Sequence, residues 1–167
     1  SEASKFQISN LQGIDKIEDE GEQTYYLTKY LLQKYPKKKW VIDGGALQMM
    51  EKEWLKDMPE VILTPHHGEF ERLFGIKVTR DTEHETRETY MQRVTSHVSR
   101  IAKEYNVIVL LKGEEDLVCS PKECVRVTGG NAGMTKGGTG DVLAGLVAAL
   151  ACKNDLFLAA KAGAYIN

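Results

Sequence analysis

The chain has 167 residues, 42% hydrophobic and 28% charged, which suits one domain with a core of its own and is too short for two. A formal net charge of −2 lacks the basic excess of nucleic-acid binders, so small molecules are the expected partners, with no nucleic acid and no membrane. The longest apolar run, residues 142–152, falls short of the roughly 20 residues of a membrane span, and no signal-peptide pattern opens the chain; a soluble, cytoplasmic protein is expected.

Residues 1–22 are polar and turn acidic at Asp15, Glu18, Asp19, Glu20 and Glu22. Tyr26, Leu27, Tyr30 and Leu31 then share one helical face, which Pro36 and Lys37-Lys38-Lys39 stop. Trp40-Val41-Ile42 reads as a short strand ending at Asp43-Gly44-Gly45, and Val61-Ile62-Leu63 as a second ending at Thr64-Pro65-His66-His67-Gly68. A helical turn over residues 69–74 stops at Gly75. A longer helix is expected over residues 83–105, where Tyr90, Val94, Val98, Ile101 and Tyr105 recur at helical spacing. Residues 107–111 form the clearest strand, and two brief strands follow over 117–119 and 125–127, joined at Ser120-Pro121. A glycine-rich segment leads into a helix over 141–152, and a last helix begins near Asn154 or Asp155.

Strands that alternate with helices and are nearly continuous in apolar character predict an α/β domain, with a mostly parallel sheet covered on both faces. No opening strand precedes residue 23 and no stop signal follows the last helix, so residues 1–167 read as one domain, the C-terminal portion of a larger one, incomplete at both ends. Cys119, Cys124 and Cys152 fit neither a disulfide framework nor a zinc pattern. Cys119 and Cys124 are placed to meet across a strand pair, yet reduced thiols are the expectation for a cytosolic chain.

Ligands of open α/β sheets sit beyond the carboxyl ends of the strands. Those ends here carry Asp43-Gly44-Gly45, Thr64 to Glu69, Lys112-Gly113-Glu114-Glu115-Asp116 and the glycine-rich segment. In Gly137-Gly138-Thr139-Gly140-Asp141, glycines let backbone N–H groups approach a ligand, and the helix behind adds the positive end of its dipole. That is a phosphate site, with Asp141 placed to take a proton from a neighbouring hydroxyl. The bland alternative is a tight turn with Asp141 as an N-cap. A Walker A string is absent, and the dinucleotide fingerprint fails because Leu143 stands where its third glycine belongs.

Three further stretches complete the pattern: Thr64-Pro65-His66-His67-Gly68-Glu69-Phe70-Glu71-Arg72-Leu73, Gly130-Asn131-Ala132-Gly133-Met134, and Gly137 through Asp141-Val142-Leu143-Ala144-Gly145. Together with residues 112–116, and in this order, they resemble the ADP/ATP-dependent NAD(P)H-hydrate dehydratase family of the ribokinase-like superfamily. The resemblance covers roughly residues 40–167. It implies a three-layer ribokinase-like fold and a nicotinamide-nucleotide repair reaction, in which ADP or ATP with Mg²⁺ phosphorylates the hydroxyl of NAD(P)H hydrate and loss of phosphate restores NAD(P)H. By the same resemblance Asp141 is the catalytic base and binds the hydrate. His66, Gly68 and Glu69 contact the hydrate; Lys112, Gly113, Glu114, Glu115, Asp116 and Asn131 serve the nucleotide; Gly138, Thr139 and Gly140 hold phosphate. A homo-oligomer is also implied.

Two departures stand out. The family's Asp-Ala-Asp-Ala-Leu is here Asp43-Gly44-Gly45-Ala46-Leu47, without the second carboxylate. Its Gly-Pro-Gly-Leu-Gly loop has only Asn10-Leu11-Gln12-Gly13-Ile14 as a counterpart, so Gly13 alone stands for a substrate-binding glycine. Two other readings remain beside the dehydratase: a small-molecule kinase of the same superfamily (for a thiazole, a pyrimidine or a sugar alcohol), and a nucleotide-binding fragment without turnover.

Overall fold

The computed structural model describes residues 11–80, 85–128 and 138–167. Helix α1 (Leu11–Ile14) is a single turn, and α2 (Glu20–Lys34) starts where the Asp19 carboxylate accepts the Glu22 N–H at 2.7 Å. Strand β1 (Trp40–Ile42) passes at once into α3 (Gly44–Met49), a helix that the short, weakly periodic stretch did not announce. Gly44 makes that abrupt turn at φ 52°, where a side chain would be strained. A 3₁₀ stretch (Lys52–Asp57) leads to β2 (Val61–Leu63) and α4 (His67–Phe74), which ends on Gly75 at φ 67°.

Helix α5 (Arg87–Tyr105) begins later than residue 83 because the Thr86 hydroxyl caps it, accepting the Thr89 N–H at 3.2 Å. It closes on Asn106 in the left-handed region. Strands β3 (Ile108–Leu111), β4 (Asp116–Cys119) and β5 (Cys124–Val127) follow, then α6 (Thr139–Ala151) and α7 (Leu156–Ile166). The Asp155 carboxylate caps α7 by accepting two backbone N–H groups.

The five strands lie in the order β1-β2-β3-β4-β5. The first two pairings are parallel and the last two antiparallel, so every strand but β4 points the same way. This is the α/β sheet expected, with a hairpin at one edge. Side chains alternate between faces along each strand. Leu63, Val109, Leu111, Leu117 and Cys119 enter a core shared with α3, α4 and α5. Ile62, Ile108, Leu110 and Val118 enter a second core under α6 and α7. Phe74 joins α4 to α5, its ring 4.9 Å from Phe70 and 5.6 Å from Tyr105. Among the described residues no helix is long and apolar enough to cross a membrane.

One expectation is corrected here: Cys119 and Cys124 are disulfide-bonded rather than reduced. The register of the β4–β5 hairpin sets them directly opposite each other, and the turn between them ties Ser120 to Glu123. Cys152 is a free, exposed thiol.

Helices α6 and α7 meet at Gly163, where a Cβ would overlap the Val147 side chain, which is itself fully buried. Gly163→Ala is therefore expected to destabilise the fold by about 1–3 kcal/mol through overpacking. Thermal unfolding of this variant beside Gly145→Ala, where a Cβ meets open space, checks it: a lowered midpoint is expected only for the former.

Candidate active site

Three strand ends and one helix start come together on the α6 side of the sheet. The Asp43 carboxylate, at the end of β1, accepts the Thr64 hydroxyl at 2.9 Å and the Lys112 ammonium at 2.7 Å, both on Oδ1. Thr64 follows β2 and is fully buried; Lys112 follows β3. Beyond the named strands the ladder continues: the Lys112 N–H donates to the Pro65 carbonyl at 2.8 Å, and His66 faces Lys112 in a parallel bridge.

Above this pair stands the first turn of α6. A Cβ on Gly140 would lie 3.4 Å from Lys112 Nζ and 3.9 Å from Asp43 Oδ2, ordinary contact distances that place the first turn of α6 directly against both charged groups. Gly138 precedes the helix at φ 93°, which favours glycine. The helical ladder opens with the Val142 N–H bonded to the Gly138 carbonyl, so the preceding N–H groups lie at the positive end of the helix. Asp141 is therefore not the N-cap; it projects exposed from the first turn. Asn131 lies outside the described residues, as does the whole stretch 129–137.

His66 caps α4 through a reciprocal pair: its Nδ1 accepts the Glu69 N–H at 3.3 Å, while Glu69 Oε2 accepts the His66 N–H at 2.9 Å. The other Glu69 oxygen accepts from Gln48 Nε2 at 3.3 Å. Glu69 is buried with both oxygens engaged, whereas the His66 ring is largely exposed. Gly68 makes room for that ring, since a Cβ there would stand 3.1 Å from His66 Cε1. Only His66 of these three thus presents its side chain to the solvent side of the strand ends.

Residues 112–116 divide between the two faces. Lys112 turns toward α6, but Gly113, Glu114 and Glu115 line a 270 Å³ hollow beside α5 together with His67, Arg87 and Tyr90. There the Tyr90 hydroxyl and His67 Nε2 are 3.0 Å apart, and Arg87 pairs with Glu115 at 2.9 Å. A Cβ on Gly113 would stand 3.1 Å from His67 Cε1, so glycine is what admits the imidazole. The Gly113 N–H donates to Asp116 at 3.1 Å and closes the turn into β4. Burial pushes the Asp116 carboxyl up, against the opposing pull of that N–H and of Lys112.

Gly13 lies in α1, a helical residue rather than the end of a glycine loop, and the Ile14 carbonyl beside it accepts from Gln23 on α2. A Cβ on Gly45, where the second family carboxylate is missing, would face Thr24 of α2 at 3.8 Å. In sequence Asp43 and Thr64 stand out as strand-end and motif residues, with no role assigned to either. The signal that could have raised them was a carboxylate and a hydroxyl each standing first after a buried strand.

A family model described as NAD(P)H-hydrate dehydratase matches residues 14–167. The chain belongs to the NAD(P)H-hydrate dehydratase family. Among relatives, it is similar to the bifunctional NAD(P)H-hydrate repair enzyme Nnr of Archaeoglobus fulgidus, at 44% identity over 108 residues, covering 65% of this chain and 19% of that protein. The ADP-dependent (S)-NAD(P)H-hydrate dehydratase of Cenarchaeum symbiosum is 38% identical over 129 residues, covering 75% of this chain and 41% of its own length. The ADP/ATP-dependent NAD(P)H-hydrate dehydratase of Bacillus subtilis, co-crystallised with ATP/Mg²⁺, superposes with a TM-score of 0.67 at 26% identity, covering 87% of this chain and 48% of that one. The chain thus spans less than half the length of these dehydratases. Its fold is the ribokinase-like one.

His67 of this dehydratase-family chain gives a pH dependence. Burial lowers its pKa below the ordinary value of 6.5, outweighing the nearby Glu71. The unfolded chain then binds the proton more readily than the folded one, so stability is full above about pH 6.5 and falls as pH drops toward the lowered folded value. Urea unfolding between pH 7.5 and 5 is expected to show this decline, and His67→Gln to flatten it.

Proposed function

We propose that this chain carries the phosphate-handling part of an ADP-dependent, or in other lineages ATP-dependent, (6S)-NAD(P)H-hydrate dehydratase, working in the cytoplasm as a homo-oligomer. The observation that carries the proposal is the placement of Lys112 Nζ against the first turn of α6, one residue from Asp141. An ammonium and a helix N-terminus there meet at one spot suited to a transferring phosphate, with an exposed carboxylate beside it.

In this reading Gly138, Thr139 and Gly140 hold the phosphate with backbone N–H groups, and Lys112 balances its charge. Asn131 and Asp116 serve the nucleotide. His66, fixed by Glu69 and given room by Gly68, contacts the hydrate. Asp141 takes the proton from the hydrate hydroxyl as that oxygen receives the terminal phosphoryl group of ADP, leaving AMP. The phosphorylated hydrate then loses phosphate as the ring nitrogen lone pair forms an iminium, and loss of a proton from the adjacent ring carbon restores the carbon–carbon double bond. The sum is hydrate and ADP in, NAD(P)H, AMP, phosphate and a proton out.

Among the described residues no group of three or more His, Cys, Asp or Glu side chains could hold a metal ion. Asp43 is engaged by Lys112, and both Glu69 oxygens are engaged. Such a donor set fits Mg²⁺ that arrives on nucleotide phosphates and keeps its waters, rather than one caged by the protein. When bound, it supplies charge neutralisation on those phosphates.

NADPH hydrate incubated with the protein, ADP and Mg²⁺ is expected to regain reduced-nicotinamide absorbance. Asp141→Asn should slow this by about 100-fold or more, as for loss of a general base, while still binding ADP. ADP binding with no recovery by the parent chain would replace the dehydratase reading with a nucleotide-binding module.

A further inference from the structure

A lysine that meets phosphate is commonly a mobile point charge on a four-carbon stem, and ordering it costs rotamer entropy. Lys112 is different. Its side chain is only 20% exposed and its partner Asp43 only 14%. The two residues end strands that are not neighbours, since β2 lies between β1 and β3. Adjacent strands are about 4.8 Å apart, so the Lys112 stem crosses the end of β2 to reach Asp43.

Thr64 stands at that crossing. Its buried hydroxyl is within 2.9 Å of Asp43 Oδ1 and 3.3 Å of the Ile42 carbonyl. The hydroxyl proton thus has the carboxylate as its nearer acceptor, and the carboxylate is fixed before it meets the ammonium. Packing does not require this arrangement: a lysine at the end of β3 could as readily extend into water.

We propose that Asp43 is a positioning residue for phosphoryl transfer, acting through Lys112: it draws the ammonium across β2 to the first turn of α6, with Thr64 fixing its carboxylate. The proposal rests on the reading of Lys112 as a phosphate contact. Without Asp43 the lysine side chain loses the partner that fixes its position. Asp43 touches neither nucleotide nor hydrate in this account, which separates it from Asp141.

The test is a double-mutant cycle on the hydrate assay with Asp43→Asn, Lys112→Met and the pair. Each single variant should lower kcat by about 10- to 100-fold, the range for a misplaced charge, with the KM for hydrate little changed. The pair should be no slower than Lys112→Met alone. Effects that multiply would mean Asp43 acts independently of Lys112 and would overturn the proposal.

Thr64→Val, which keeps the volume and removes the hydroxyl, should shift kcat in the same direction by a smaller factor; a Thr64→Val enzyme with parental kcat would remove Thr64 from the account. A second readout needs no turnover. In competitive acetylation followed by mass spectrometry, Lys112 should label faster in Asp43→Asn than in the parent, relative to Lys103. An unchanged ratio would show that Asp43 does not anchor the lysine and sinks the proposal even if the enzyme is active. Faster labelling in a chain that binds no ADP would instead sink the phosphate role while leaving the anchor standing.

Discussion

The Asp43–Lys112 ion pair ties together the ends of β1, β2 and β3, where backbone ladders stop and side chains must take over. At 2.7 Å the attraction is strong in the partly dry setting beneath α6, yet both groups gave up most of their water to reach it. The Thr64 hydroxyl offsets part of that loss by occupying the carboxylate on its buried side. Among the described residues, removing the ammonium would leave a mostly buried carboxylate with one neutral partner, Thr64, a defect on the order of 1–3 kcal/mol. The first turn of α6 rests against the pair, with the Gly140 position at contact distance from Lys112 Nζ and Asp43 Oδ2.

Around that constraint the chain places small residues where a larger one would push a functional side chain aside. Gly68 leaves space for the His66 ring and Gly113 for the His67 ring. Neither has the positive φ for which glycine is usually invoked; their value is the missing Cβ. Among the described residues only Gly44, Gly75 and Gly138 are used for backbone freedom, at the turn into α3, the end of α4 and the start of α6.

Much of this was legible in the sequence for a physical reason. Buried strands must be apolar, so 40–42, 61–63 and 107–111 stood out, and polar residues directly after them marked the strand ends. Helix α5 was plain from its long apolar stripe, while its start was misplaced because Thr86 announces itself only by a hydrogen bond. Helix α3 was missed: two glycines seldom open a helix, and Gly44 does so only through its positive φ. The two cysteines were placed to meet across a strand pair in the sequence, but a cytosolic setting argued for reduced thiols, whereas the hairpin register puts Cys119 opposite Cys124 and they are bonded. The site was read as motifs in a row, and what that row conceals is direction. Residues 112–116 look like one nucleotide loop, but they serve two faces, and the glutamates turn away toward α5.

The two faces of β3 have a consequence for how this strand can change. Leu110 and Lys112 share one side, Leu111 and Gly113 the other. Substitutions on either side alter one surface at a time. A single residue inserted or deleted between Ile108 and Lys112 would do something else: every backbone bond to β2 and β4 could re-form, while lysine and glycine exchanged sides. The ammonium would then be carried into the hollow beside α5, and α6 would face a bare backbone. The site tolerates drift in composition along β3 but hardly any in parity, so changes of length are confined to the loops at either end.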